Sequence, residues 1–147
     1  MITIREGSPD DAPGLATLRA MWASEQEPAI QEDPDFEDTY RDWMDANPRK
    51  FFVAQQDGEL IGMLNLMIFE RMPKPGKASS RWVYLGNAYV LPAFRNAGIG
   101  GRLVEASIQF SKSIKAARMV LSPSVESRDF YARLGFQPAA ELNIRTF

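Results

Sequence analysis

The chain has no cysteine and no histidine. Those absences exclude disulfides, thiolate nucleophiles, metal sites built on sulfur or imidazole, and any Ser-His triad. An all-oxygen metal site would remain, but no D-x-[DN]-x-[DN]-G loop is present, so no metal is expected. Proton transfer falls to carboxylates, Tyr, Lys, backbone or water. Long apolar runs are also missing. The best one, Met63 to Phe69, is far shorter than the ~20 residues of a membrane span, and Asn65 interrupts it. No membrane partner is expected. The start, Met1-Ile2-Thr3-Ile4-Arg5, lacks the charged and apolar regions of a signal peptide, and a cytoplasmic location is the default expectation. A strong charge of one sign is lacking too. Seventeen basic against 19 acidic residues leave a net charge of −2, which argues against a nucleic-acid partner.

What is present reads as one domain over residues 1–147, long enough to bury a sizeable core. Ile2 and Ile4 alternate with polar neighbours, as in a strand. Ser8-Pro9-Asp10-Asp11 reads as a helix start with Ser8 as N-cap. Leu15, Leu18 and Trp22 form that helix's apolar face, while Pro13 and Gly14 weaken its first turn. Phe36, Tyr40, Trp43 and Met44 repeat at helical spacing up to Asn47-Pro48. Phe51 to Gln55 and Leu60 to Phe69 are strands joined through Gln56-Asp57-Gly58-Glu59, a two-residue hairpin turn. Residues 71–80 are loop-like, with two prolines, a glycine and two lysines. Trp82 to Val90 is a further strand whose Gly86 suggests a bulge or a close backbone approach.

Ile99, Leu103, Ala106, Phe110 and Ile114 give one stripe, so a helix runs from about Gly98 to about Lys115. Met119-Val120-Leu121 then reads as a short buried strand. Strand, crossover helix and strand imply a right-handed parallel pair. Ser124 or Ser122 caps a last helix that holds Phe130, Tyr131 and Leu134, and Gly135 fits its C′ position. Leu142, Ile144 and Phe147 alternate as a final strand, either short or supplied by a second copy, which leaves a homodimer open. The expected fold class is α+β: a mixed central sheet, mostly antiparallel with one parallel crossover, and four helices.

The most informative stretch is Val90-Leu91-Pro92-Ala93-Phe94-Arg95-Asn96-Ala97-Gly98-Ile99-Gly100-Gly101-Arg102-Leu103. It passes from a strand through a glycine loop into a helix. Such a junction aims backbone N–H groups at one spot, at the positive end of a helix dipole, and suits a phosphate-type anion. It is not a dinucleotide fingerprint, since Leu103 stands where the third glycine would be. Nor is it a P-loop, since Gly101-Arg102-Leu103 does not supply Gly-Lys-Ser/Thr.

The spacing Val90-x-Pro92-x-x-Arg95-x-x-Gly98-Ile99-Gly100-x-x-Leu103 resembles motif A of the GNAT superfamily of N-acetyltransferases. Phe130-Tyr131-x-x-Leu134-Gly135-Phe136 resembles motif B, and the order of elements matches over nearly the whole chain. The resemblance implies acetyl-CoA as acyl donor. Backbone groups of Arg95, Asn96, Ala97, Gly98, Ile99, Gly100 and Gly101 would cradle its pyrophosphate. Ala88, Tyr89 and Val90 would pair with its pantetheine amides, and Ser124 and Ser127 would lie beside it. Ser124 occupies a position where the family often has asparagine, so its contact is shorter in reach.

Tyr131 matches the family's tyrosine beside the sulfur and is the catalytic candidate, as a hydrogen-bond donor to the leaving thiolate. A cysteine-free chain favours direct attack by the amine in a ternary complex. The strand from Trp82 to Val90 holds no carboxylate, with Asn87 its one strong polar side chain. Glu70, Glu25, Glu27, Glu32 and Asp33 are alternative bases, and water-mediated deprotonation is the default. Residues 25–45 hold nine acidic side chains against Arg41 alone. An acidic wall would attract a cationic small-molecule amine acceptor, and a solvated helix face explains the same charges. Trp22, Trp43 and Tyr84 suit either a pocket or the core. Peptide acetylation, or coenzyme A binding without turnover, stand as the alternative functions.

Overall fold

The computed structural model describes residues 1–147. The elements in order are β1 (Ile2–Glu6), α1 (Ala12–Gln26), α2 (Phe36–Ala46), β2 (Lys50–Gln56), β3 (Glu59–Glu70), β4 (Arg81–Val90), α3 (Ile99–Ser113), β5 (Arg118–Val120) and α4 (Arg128–Arg133). The five strands form one sheet in the order β1-β2-β3-β4-β5. The first three pairings are antiparallel and β4–β5 is parallel. This is the expected α+β architecture with one crossover and four helices. No helix is long and apolar enough to cross a membrane.

Strand alternation makes two cores, one on each face of the sheet. Phe52, Ala54, Leu64, Leu66, Val83 and Leu85 face Ile99, Leu103 and Val104 of α3. Phe51, Val53, Met63 and Tyr89 point the other way, onto Leu15 and Leu18 of α1 and Tyr40 of α2. Each fully buried leucine or isoleucine contributes about 1.5–3 kcal/mol relative to exposure. The two serines on the buried stripe of α3 bond back to their own helix: Ser107 Oγ to the Val104 carbonyl at 2.6 Å, and Ser111 Oγ to the Ser107 carbonyl at 2.8 Å. They cost the core no unmade hydrogen bonds.

The turns follow their sequence chemistry. Asp57 and Gly58 both have positive φ, 50° and 81°, as a two-residue type I′ hairpin requires. At the first helix, Asp11 accepts the Ser8 N–H at 2.8 Å and completes a capping box. Pro9–Asp11 forms a 3-10 turn, so α1 starts only at Ala12. Gly14 lets α1 lie against β3, because a Cβ there would meet Leu60 at 2.9 Å. At the other end of the fold, α3 stops at Ser113. Lys115 turns left-handed (φ 57°) and Ala116 N–H bonds the Ser111 carbonyl.

Three expectations change: Ser127, not Ser124 or Ser122, stands at the N-cap of α4, β5 is half-buried rather than buried, and the last strand is missing. Residues 137–147 form no strand. The alternation of Leu142, Ile144 and Phe147 is a local pattern without a partner: Ile144 and Phe147 are fully exposed, and β5, beside which a further strand would pair, is three residues long. Pro138 also removes one donor from the segment.

Candidate active site

The site begins with a defect in the sheet. Met63 pairs with Tyr89 and Asn65 with Gly86, so Asn87 and Ala88 of β4 together oppose Leu64 alone. This is a β-bulge, one residue beyond the Gly86 that signalled it. Asn87 takes a left-handed conformation, φ 55°, which asparagine tolerates better than other non-glycine residues. Its side-chain oxygen accepts a hydrogen bond at 2.9 Å from Asn65 Nδ2, and Asn65 is buried. Gly86 has a second use. A Cβ there would stand 3.3 Å from the Tyr84 ring, which lies along the strand.

Beyond the bulge, the sheet opens. β4 and β5 pair only between Trp82–Tyr84 and Arg118–Val120, although β4 continues to Val90. A cavity of about 720 Å³ fills the gap. Ala88, Tyr89 and Val90 line one side, and Ser124, Ser127, Phe130 and Tyr131 the other. Gly100 lies at one end, where a Cβ would sit 3.4 Å from the Phe130 ring. The chain can therefore bring α3 close to α4 beside the cavity.

The glycine loop presents donors there. Gly98 is the N-cap of α3 with φ 81°, and no side chain caps the helix. The first-turn N–H groups of Ile99, Gly100 and Gly101 have no intrahelical acceptor by the geometry of the α-helix. The helix dipole adds positive potential at the same point. A bare helix N-terminus of this kind can hold an anion. Asn96 helps to turn the loop with φ 61°. The Ile99 side chain belongs to the core, 2% exposed, so only its backbone can serve a ligand.

Of the residues expected at the site, Ala88, Tyr89, Val90, Arg95, Gly100, Ser124, Ser127 and Tyr131 line the cavity. Asn96, Ala97, Gly98, Ile99 and Gly101 form the adjoining loop and helix start. The Ser124 hydroxyl donates to Ser127 Oγ at 2.9 Å, and Ser127 donates to the Ser124 carbonyl at 3.1 Å. Tyr131 packs edge-on against Phe130 and Phe136. Burial raises its phenol above the usual range, so it stays protonated at neutral pH.

What sequence reasoning missed is the surrounding of Arg95. Its Nε donates to the Val90 carbonyl at 2.9 Å, and its two Nη atoms donate to both oxygens of Glu25 at 2.7 and 2.9 Å. Tyr89 donates its hydroxyl to Glu25 Oε2 at 2.8 Å. Trp22 stacks on the Tyr89 ring with centroids 5.5 Å apart. Arg95, and then Tyr89, hold the Glu25 carboxyl below its ordinary range. Burial, and then Glu25, push Tyr89 up to about 12. Of the nine acidic side chains in residues 25–45, Glu25 alone lines this cavity. The Glu25–Arg95 pair joins residues 70 apart in the chain, and no local pattern announces it.

A family model described as the acetyltransferase (GNAT) family matches residues 16–136. The chain belongs to the GNAT acetyltransferase family. A glucosamine 6-phosphate N-acetyltransferase of Trypanosoma brucei brucei is 31% identical over 88 residues, 60% of this chain. The chain spans 58% of that relative's length. Among solved structures, a Clostridium acetobutylicum predicted acetyltransferase crystallised with acetyl-CoA superposes with a TM-score of 0.77 at 20% identity, covering 99% of this chain and 96% of its own. An Arabidopsis thaliana glucosamine-6-phosphate N-acetyltransferase gives a TM-score of 0.73 at 18% identity, over 100% and 99% of the two chains. At these identities the structural likenesses speak for the fold alone. In this GNAT chain, the fold places motif A and motif B on opposite walls of one cavity.

Proposed function

We propose that this chain transfers an acetyl group from acetyl-CoA to the primary amine of a small molecule by direct attack in a ternary complex. The observation that carries the reading is the single cavity where β4 leaves β5. It joins the uncapped start of α3, the bulged strand edge and Tyr131. Acetyl-CoA would supply the acetyl group as a thioester. The backbone N–H groups at Asn96–Gly101 would hold its pyrophosphate, and the edge at Ala88–Val90 its pantetheine amides. Ser124 and Ser127 already satisfy each other and would add only short-range contacts.

Tyr131 serves best as a hydrogen-bond donor. An ordinary phenol near pKa ~10 surrendering its proton to a thiolate near ~8.5 is uphill by about 2 kcal/mol, and burial of Tyr131 raises that cost. A donated hydrogen bond stabilises developing charge on sulfur without the transfer. On the acceptor side, an alkyl amine of pKa ~10.4 costs about 4.6 kcal/mol to deprotonate at pH 7. Water-mediated deprotonation remains the route that asks least of the strand, since β4 carries no carboxylate.

The test is release of free thiol from acetyl-CoA by the purified chain across a panel of amines. Glucosamine 6-phosphate heads the panel because of the trypanosomal relative. Turnover with one or more small amines, above the rate of hydrolysis, is expected. Saturable coenzyme A binding with no thiol release across small amines and peptides would overturn the enzymatic reading.

A further inference from the structure

The Glu25 carboxylate occupies an awkward place for a residue that only braces the fold. It lies at the C-terminal end of α1, where the acidic segment begins. Yet it lines the same cavity as the glycine loop. It takes three hydrogen bonds there, two from Arg95 and one from Tyr89. Arg95 in turn spends three of the five N–H groups of a guanidinium, one on Val90 and two on Glu25. Two N–H groups of its planar fork, the part suited to bidentate recognition of carboxylate or phosphate, are held by the two oxygens of Glu25. The pair is 40% and 37% exposed, and ion pairs that water can reach are weakly held.

We propose that Glu25 and the pyrophosphate of coenzyme A compete for Arg95, so that Arg95 exchanging one anion for the other releases Glu25 toward a cationic amine acceptor. This rests on the acetyl-transfer reading above and assigns the acceptor's ammonium a partner. The exchange is physically inexpensive, because a doubly charged diphosphate at the end of α3 attracts the guanidinium more strongly than one exposed carboxylate does. Tyr89 then matters for a different reason. It is buried, stacked on Trp22, and keeps its proton. It therefore holds Glu25 Oε2 as a neutral donor once the arginine has left. The carboxylate stays in the cavity with its charge no longer neutralised. A carboxylate clamped by Arg95 is a poor partner for an ammonium, and the same carboxylate held by a phenol is a good one. Loading of the first substrate thereby prepares the site of the second.

Calorimetric titration with coenzyme A tests the exchange without an acceptor. Pantetheine, which lacks the pyrophosphate, is the control ligand. Glu25→Gln removes the competing charge and is expected to bind coenzyme A about three- to fivefold tighter than the wild type, with pantetheine unaffected. In the Arg95→Gln background the same substitution should give no gain. Circular dichroism confirms that each variant is folded. A second readout follows the Glu25 carboxyl carbon by NMR. Its pKa should rise toward the ordinary glutamate value when coenzyme A saturates the wild type, and stay put with pantetheine. Unchanged or weaker coenzyme A binding in Glu25→Gln, an equal gain without Arg95, or an unmoved carboxyl pKa would each overturn the proposal. A wild-type chain that does not bind coenzyme A at all would overturn both the acetyl-transfer reading and this one. Binding without the Glu25 effect would overturn this one alone.

Discussion

Two regions of the cavity are built from different material. The region formed by β4 and the glycine loop is made largely of backbone: a bulge, a strand edge without a partner beyond Tyr84, and a helix start that no side chain caps. The region at the end of α1 is made of side chains: Trp22 stacked on Tyr89, and Glu25 bonded to Tyr89 and Arg95. Backbone donors tolerate many side chains, because any residue that keeps the conformation keeps the N–H groups in place. A side-chain cluster depends on each of its residues. The contrast explains why the donor is readable and the acceptor is given only by class.

Removing a side chain that faces the backbone-built region should harm chemistry rather than donor binding. Tyr131→Phe deletes one hydroxyl and leaves the ring packing with Phe130 and Phe136. A hydrogen bond to a developing charge is worth enough to lower kcat about 10- to 100-fold, while coenzyme A affinity should stay the same. Steady-state kinetics beside calorimetry checks both halves. An unchanged kcat would take Tyr131 out of the reaction.

The next effect concerns the bulge itself. Asn87 sits at φ 55°, so Asn87→Gly keeps the conformation at no steric cost while Asn87→Ala does not. Both lose the bond from buried Asn65. The alanine variant should therefore be less stable than the glycine variant by about 1 kcal/mol, read as a difference in Tm or urea midpoint. Equal stabilities would mean that the left-handed turn is not what shapes this strand edge.

The smallest effect is a control away from the cavity. Arg5 and Asp11 form an ion pair at 2.8 Å beside the first helix, with side chains 35% and 11% exposed. The Arg5 hydrogen bond, opposed by burial and reinforced by the Ser8 N–H, holds the Asp11 carboxyl below its usual range. A carboxyl depressed in the folded state stabilises the protein above its unfolded pKa. That contribution is lost as the pH falls through its folded pKa. The wild type should exceed Asp11→Asn in stability at pH 7 by less than about 1 kcal/mol. The gap should shrink once the pH drops below about 4. Coenzyme A binding should not respond to this substitution at all.

Much of the fold was legible because its signals are local. The Asp57-Gly58 hairpin and the α3 stripe each depend on residues within one or two turns of each other, and the crossover follows from three such local elements in order. The glycine loop was legible for the same reason, and Gly86 pointed within one residue of the bulge. The tail shows the limit of such signals. Leu142 and Ile144 alternate as a strand would, but alternation without a neighbouring strand to pair with makes no strand. The Glu25–Arg95–Tyr89 cluster shows the opposite limit. Its members are 64 and 70 residues apart, each has an ordinary local reason to be where it is, and only the folded chain brings them together. In the sequence, the nine acidic side chains fit an acidic wall and a solvated helix face equally, and the fold delivers one of them to the cavity.

The most direct test of the backbone-built donor site is a coenzyme A titration of Gly98→Ala against the wild type. Gly98 has no side chain to lose, and a Cβ there would meet nothing within 4 Å. Its left-handed φ of 81° is the sole property that the substitution disturbs. Alanine in that conformation costs about 1–2 kcal/mol. Saturable binding by the wild type, weakened at least about fivefold in a folded Gly98→Ala chain, is the predicted result. Coenzyme A binding that is indifferent to Gly98 would contradict the account.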